Sequence, residues 1–173
     1  WKATAKLGLE GEFLVRQYVE TRRSRMVVML AMGQDEFLAN SEEFEVAVSA
    51  VGSLGKRALM DSRDISIYRG DEIPKIARRQ FGSIKRINIQ TNKALMEDLC
   101  RVNLMENALK IRNVCQLAVQ MHNDISMAVI VVGSTYTQRQ LLEIRTALPN
   151  NIGVVFVRVD HTESSVPKYS QLD

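Results

Sequence analysis

Two uninterrupted apolar runs constrain the fold of this chain more than any other feature. They are Met26-Val27-Val28-Met29-Leu30-Ala31-Met32, ended by Gly33, and Met127 to Val132, ended by Gly133. Each is far shorter than the ~18 residues that a membrane-spanning helix needs. Neither shows the apolar-polar alternation of a strand with one wet face. A strand apolar at every position needs cover on both faces, and a parallel sheet flanked by helices supplies it. The runs therefore predict two central strands of such a sheet.

The segments between them fit that frame. Asn40-Ser41-Glu42-Glu43 has the form of a capping box, and Phe44, Ala47, Val48, Val51, Leu54, Ala58 and Leu59 follow at helical spacing. Asp61 to Asp64 ends that helix and Ile65-Ser66-Ile67-Tyr68 reads as a short strand, which completes a β-α-β unit. Asp71 to Arg86 is the least legible stretch: Ile73, Ile76, Ala77 and Phe81 suggest a short helix, and Ile84, Ile87 and Ile89 an edge strand. From Thr91 the signal is helical again through Ala94, Leu95, Leu99, Ala108, Ile111, Val114, Cys115, Ala118 and Met121. Thr137-Gln138-Arg139-Gln140 is a second capping box, its helix runs through Leu141, Leu142, Ile144 and Leu148 until Pro149-Asn150-Asn151 stops it, and Ile152 to Val159 is the last strand.

Upstream, Gly11 to Glu20 alternates with a period of two, which predicts a further strand, and the polar Glu20 to Arg25 a hairpin turn. Strands alternating with helices of this length require crossover connections. The expected fold is a three-layer α-β-α domain with a mostly parallel sheet and an antiparallel hairpin strand near the N-terminus. At 173 residues this is one domain, over 1–161, with a polar tail from Thr162 to Asp173. The chain starts at Trp1 rather than Met, as an excised fragment would.

In an open parallel sheet a ligand crevice lies beyond the carboxyl ends of the strands, where the strand order reverses. That rule singles out Ala31 to Glu36, Gly133 to Tyr136, and Gln90 to Lys93 at a helix start. These segments carry no glycine-rich phosphate loop, no nucleophile elbow and no paired carboxylate motif. Cys100 and Cys115 lie fifteen positions apart without a CxxC partner, as free core thiols would. His122 reads as a helix-end residue and His161 follows the last strand.

The opening Trp1-Lys2-Ala3-Thr4-Ala5-Lys6, then Phe13-Leu14-Val15-Arg16-Gln17-Tyr18, then the strand Met26 to Met32, resembles the bacterial family called domain of unknown function 58. The order and spacing of these motifs agree as well as their letters. The resemblance implies a von Willebrand factor A-like (Rossmann-like) fold. It also implies a membrane-attached bacterial protein, with spanning segments before Trp1, this domain on the cytoplasmic side, and a MoxR-type AAA+ ATPase as partner in assembly or chaperone-like work.

That fold holds a divalent cation with a D-x-S-x-S loop after the first core strand, a threonine at a helix start and an aspartate after the fourth strand. Laid over this pattern, Ala31 stands for the leading aspartate, Gly33 and Asp35 for the two serines, Thr91 for the threonine, and Gly133 or Ser134 for the last aspartate. The resemblance thus implies a degenerate site with no metal and no cofactor. What remains is a partner-binding crevice of Ala31, Gly33, Asp35, Glu36, Thr91, Ser134, Thr135 and Tyr136, in a protein expected not to be an enzyme, with an enzyme of unknown type as a further alternative.

The plainer readings of these residues are specific. Thr91 serves as a helix N-cap. Asp35 and Glu36 are solvated loop acids, with Asp35 at the rim facing a partner's Lys or Arg as the sharper reading. Ser134 to Tyr136 leads into a helix N-terminus whose free amides suit an anion. Arg22, Arg23 and Arg25, with Arg78, Arg79, Lys85 and Arg86, are either solvated loops or an electrostatic surface for nucleic acid or acidic lipid. Phe81 alone interleaves them and the net charge is only +3, so nucleic acid is not the expected partner.

Overall fold

The computed structural model describes residues 25–73 and 82–160. The proposed strand over Gly11 to Glu20, the short helix through Ile76, Ala77 and Phe81, and the tail from Thr162 lie outside these residues. The elements in chain order are β1 (Arg25–Leu30), a single 3-10 turn (Gln34–Glu36), α1 (Asn40–Met60), β2 (Ile65–Gly70), β3 (Ile84–Ile87), α2 (Asn92–Leu99), α3 (Ile111–Met121), β4 (Ile125–Val132), α4 (Gln138–Thr146) and β5 (Gly153–Arg158).

The five strands form one sheet in the order β3-β2-β1-β4-β5. All neighbours are parallel except β2 and β3, which run antiparallel with Ile67 opposite Ile87 and Gly70 opposite Ile84. The two apolar runs are the sheet's centre. Val27 to Leu30 of β1 and Ile130 to Val132 of β4 have no exposed surface. Each such aliphatic side chain contributes roughly 1.5–3 kcal/mol by leaving water.

Alternation along the strands divides the layers. On one face Ile67 meets α1 and α2, since a Cβ on Gly55 would touch both Ile67 and Leu95. On the other, Gly70 packs against Val114 of α3 and Tyr68 reaches His122 at that helix's end. The helices therefore cover both faces, as the apolar strands require.

Two local expectations need correction. Helix α1 starts where its capping box was placed, but the N-cap residue is Ala39, whose own side chain has no oxygen to accept from the first amides. The second is the single helical signal from Thr91 to Met121, which is two helices with a non-helical segment, residues 100–110, between them. Because β3 is antiparallel, α2 starts at the amino end of the parallel strands, whereas α3 starts at their carboxyl end and runs back. The chain must cross the sheet between the two. It does so as a strap over the carboxyl ends of β1 and β2, with bridges Gly33–Met105 and Glu72–Ala108. Ala108 and Leu109 are buried in that strap, so their apolar spacing came from a crossing rather than a helix.

At the opposite end of the sheet, Arg25 joins three elements. Its Nε donates to Asp124 at 3.1 Å, its Nη1 to Ser66 Oγ at 3.2 Å, and its Nη2 lies 3.2 Å from Asp64. Beside it His122, the C-cap residue of α3, shares a 2.6 Å hydrogen bond between Nε2 and the buried Tyr68 hydroxyl. Burial, then Arg25 and also Arg86, pull the imidazole below its ordinary 6.5, while Asp124 and Asp64 pull the other way. The folded state therefore binds this proton less readily than the unfolded chain. Stability present above pH 6.5 is lost as pH falls from there toward the folded value. Urea midpoints taken between pH 7.5 and 5.5 should fall, and a His122→Gln variant should show a shallower slope. Equal slopes would remove His122 from this account.

Candidate functional site

The strand order reverses between β1 and β4, so their carboxyl ends define the crevice. The loop after β1 is pinned by main-chain bonds. Ala31 N donates to Val131 O at 3.0 Å, Met105 N to Met32 O at 3.0 Å, Gln34 N to Met105 O at 3.0 Å, and Glu36 N to Gly33 O at 2.9 Å. Gly33 leaves room for this turn, since a Cβ there would stand 2.7 Å from Asp35 Oδ1 and 3.0 Å from Glu36 Oε2. Across the crevice Gly133 meets the same loop. A Cβ on it would lie 2.1 Å from the Glu36 carbonyl oxygen.

Glu36 is not a solvated loop acid. It is 2% exposed. Its Oε2 accepts from Met32 N at 3.1 Å and Gly33 N at 2.8 Å, and its Oε1 from Ile111 N at 3.3 Å and from the Tyr136 hydroxyl. Its main-chain oxygen accepts from Thr135 Oγ1 at 2.7 Å. A turn that folds back on its own strand carries the side chain inward, which spacing along the sequence cannot reveal. The neighbouring Asp35 is the solvated one, exposed at the rim and ion-paired with Lys110.

The amide of Ser134 is not free for an anion. It donates to Glu43 Oε1 at 2.5 Å, and Glu43 Oε2 accepts from Ala39 N at 3.1 Å. Glu43 is 1% exposed, so a second buried carboxylate ties the start of α1 to the end of β4. Thr137 and Gln140 form the reciprocal capping box read in the sequence, which occupies the Thr137 amide as well.

Nucleophiles near the crevice are masked. Burial pushes the Cys115 thiol up to about 12, with the Glu36 charge adding to the effect. Burial, and then the adjacent Glu36 carboxylate, push the Tyr136 phenol up as well. Neither group is an anion near neutral pH, so neither is an activated nucleophile or base.

Of the sequence candidates, Ala31, Gly33, Asp35, Glu36, Ser134, Thr135 and Tyr136 converge on this crevice, and Thr91 does not. Thr91 follows the antiparallel β3 and so lies at the amino end of the parallel strands. The packing of α2 on α1 agrees, because Leu99 sits at Gly52 and Leu95 at Gly55, which sends Thr91 toward the end of α1. There its hydroxyl accepts from Ala94 N at 3.1 Å as an N-cap. Glu43, Lys110, Ile111 and Met105 belong to the site without having been candidates. Only Glu43 carried a local signal, as the acid of the first capping box.

A divalent cation does not fit these residues. Ala31 offers a buried methyl where the leading carboxylate would stand, Asp35 is neutralised by Lys110, and Thr91 is at the far end of the sheet. No group of three or more His, Cys, Asp or Glu able to hold a metal occurs among the described residues.

Sheet order, register and crevice define a three-layer α/β domain with a mostly parallel sheet and a switch-point site. No protein-family model matches the chain, and no curated protein does. Among solved structures, it is similar to a von Willebrand factor type A protein from Catenulispora acidiphila, at 10% identity and a TM-score of 0.44. The match covers 79% of this chain and 33% of that one, so this chain spans about a third of its length.

Proposed function

We propose that this chain is a non-enzymatic protein-interaction domain of von Willebrand A-like architecture that engages its partner at the crevice rim. One observation carries the reading: the crevice directs Glu36, Glu43 and its hydroxyls inward. Glu36, Glu43, Tyr136 and the Ser134 amide are bonded to one another's elements, and Thr135 closes on the Glu36 carbonyl. Gln34, Asp35, Leu38 and Thr135 are left facing solvent, Leu38 at 78% exposure. That arrangement supports a preorganised contact surface over a reaction centre.

The sequence motifs in Trp1 to Lys6 and Phe13 to Tyr18 support the finer reading. In it the domain is the cytoplasmic part of a membrane-attached bacterial protein, and the partner is a MoxR-type AAA+ ATPase. Among the described residues no helix is long and apolar enough to cross a membrane. The attachment in this reading rests on the family resemblance alone. Within the two basic groups that a nucleic-acid surface would use, Arg25 pairs with Asp64 and Asp124, and Lys85 pairs with Asp71 at 2.9 Å.

The test is direct binding of a purified MoxR-type ATPase from a bacterium encoding this chain, measured by titration calorimetry. Asp35→Ala is expected to weaken binding roughly fivefold or more, the scale of an interface residue worth about 1 kcal/mol. Thr91→Ala, at the far end of the sheet, should leave affinity unchanged. Absence of binding by the unaltered protein sinks the partner. Loss on Thr91→Ala with none on Asp35→Ala sinks the site.

A further inference from the structure

We infer that Glu36 is an internal clasp: its carboxylate joins the end of β1, the start of α3 and the loop after β4, so the crevice keeps its shape with no bridging cation. The inference concerns the chain's own mechanics and holds whether or not a partner binds there.

A cation at a strand-end crevice holds loops together because several oxygens converge on one positive charge. Here the polarity is reversed. One buried anion gathers donors: the Met32 and Gly33 amides from β1's extension, the Ile111 amide from the first turn of α3, and the Tyr136 hydroxyl from the loop after β4. Each carboxylate oxygen has two of the four donors, which fills the strong acceptor positions of the group. The Ile111 amide is among the unpaired donors of a helix N-terminus, where a carboxylate is further favoured by the helix dipole.

Two neighbouring contacts reinforce the arrangement. Asp35 holds Lys110, so consecutive acids on the β1 loop grip consecutive residues at the start of α3. Thr135 bonds the Glu36 main chain while Tyr136 bonds its side chain, so consecutive residues of the β4 loop grip the same residue. Removing the clasp should therefore loosen three elements that are distant in sequence, all at once. A locally stabilising side chain would loosen only its own turn.

The experiment combines thermal melts with amide exchange followed by NMR. Melts of the unaltered protein in millimolar Mg²⁺ and in EDTA should coincide, because a ligand specific to the folded state raises the midpoint. In Tyr136→Phe, which removes one donor and keeps the ring, exchange at Met32, Gly33 and Ile111 should quicken together, roughly tenfold or more. Val28 and Val129 in the strands should not change. Glu36→Gln should give the same pattern more strongly. If that variant does not fold, Tyr136→Phe decides alone. A Mg²⁺-dependent rise in the midpoint overturns the inference. So does quickening at fewer than all three sites.

Discussion

Replacing Glu36 with alanine is expected to lower the unfolding free energy by about 3–5 kcal/mol, because four buried donors lose one shared carboxylate acceptor at once. The substitution leaves the Met32, Gly33 and Ile111 amides and the Tyr136 hydroxyl without their acceptor. A buried donor left unpaired costs roughly 1–3 kcal/mol, and these four share one group, so their losses do not simply add. The lost side chain also leaves a void beneath the β1 loop, which adds to the cost to the extent that the loop cannot collapse. In urea the midpoint should fall with an unchanged slope, since the same surface is exposed on unfolding. A loss under about 1 kcal/mol would mean that water satisfies these donors. The carboxylate would then be dispensable.

Gly133→Ala should be nearly as damaging, at about 2–4 kcal/mol, although it adds a single methyl group to a buried position. The new Cβ would stand 2.1 Å from the Glu36 carbonyl oxygen, 2.7 Å from Phe37 Cδ1 and 2.9 Å from the Glu36 carbonyl carbon. Two of those three atoms are main chain, so no rotamer change relieves the clash. Either the end of β4 or the β1 loop must move, and the loop is held by Thr135, Tyr136 and the edge-to-face pair Phe37–Phe44 at 5.4 Å. Gly55 makes an instructive contrast, because its crowding of 2.8 Å is with a terminal methyl of Leu95, which can turn aside. Gly55→Ala should therefore cost less than Gly133→Ala. The reverse order, measured in the same denaturant series, would mean that the β1 loop yields easily and is not pinned.

The central strands were legible because a strand covered on both faces favours apolar residues at successive positions, and Met26–Met32 and Met127–Val132 are the longest runs written that way. Thr137 to Gln140 was legible because a reciprocal cap is local chemistry within four residues. The meeting of the loops after β1 and β4 followed from the same local signals, since the two central strands lie side by side where the strand order reverses.

Three things were not legible. The first was that β3 would run antiparallel. That depends on pairing with β2, and it carries Thr91 to the opposite end of the sheet from Asp35. The second was the break between α2 and α3. The apolar residues of a crossing strap face the core at intervals a helix could also produce, so Ala108 and Leu109 gave no warning. The third was the inward turn of Glu36, whose partners at Ile111 and Tyr136 are 75 and 100 positions away.

What Ala31, Gly33 and Gly133 bring to the crevice is set by the sequence itself, because a methyl group or a hydrogen atom offers a cation no side-chain oxygen in any conformation. Which acid faces the solvent was decided by tertiary structure alone. Asp35 and Glu36 are adjacent and chemically alike, and only the turn after β1 sends one to the rim and the other into a ring of donors contributed by β1, α3 and β4.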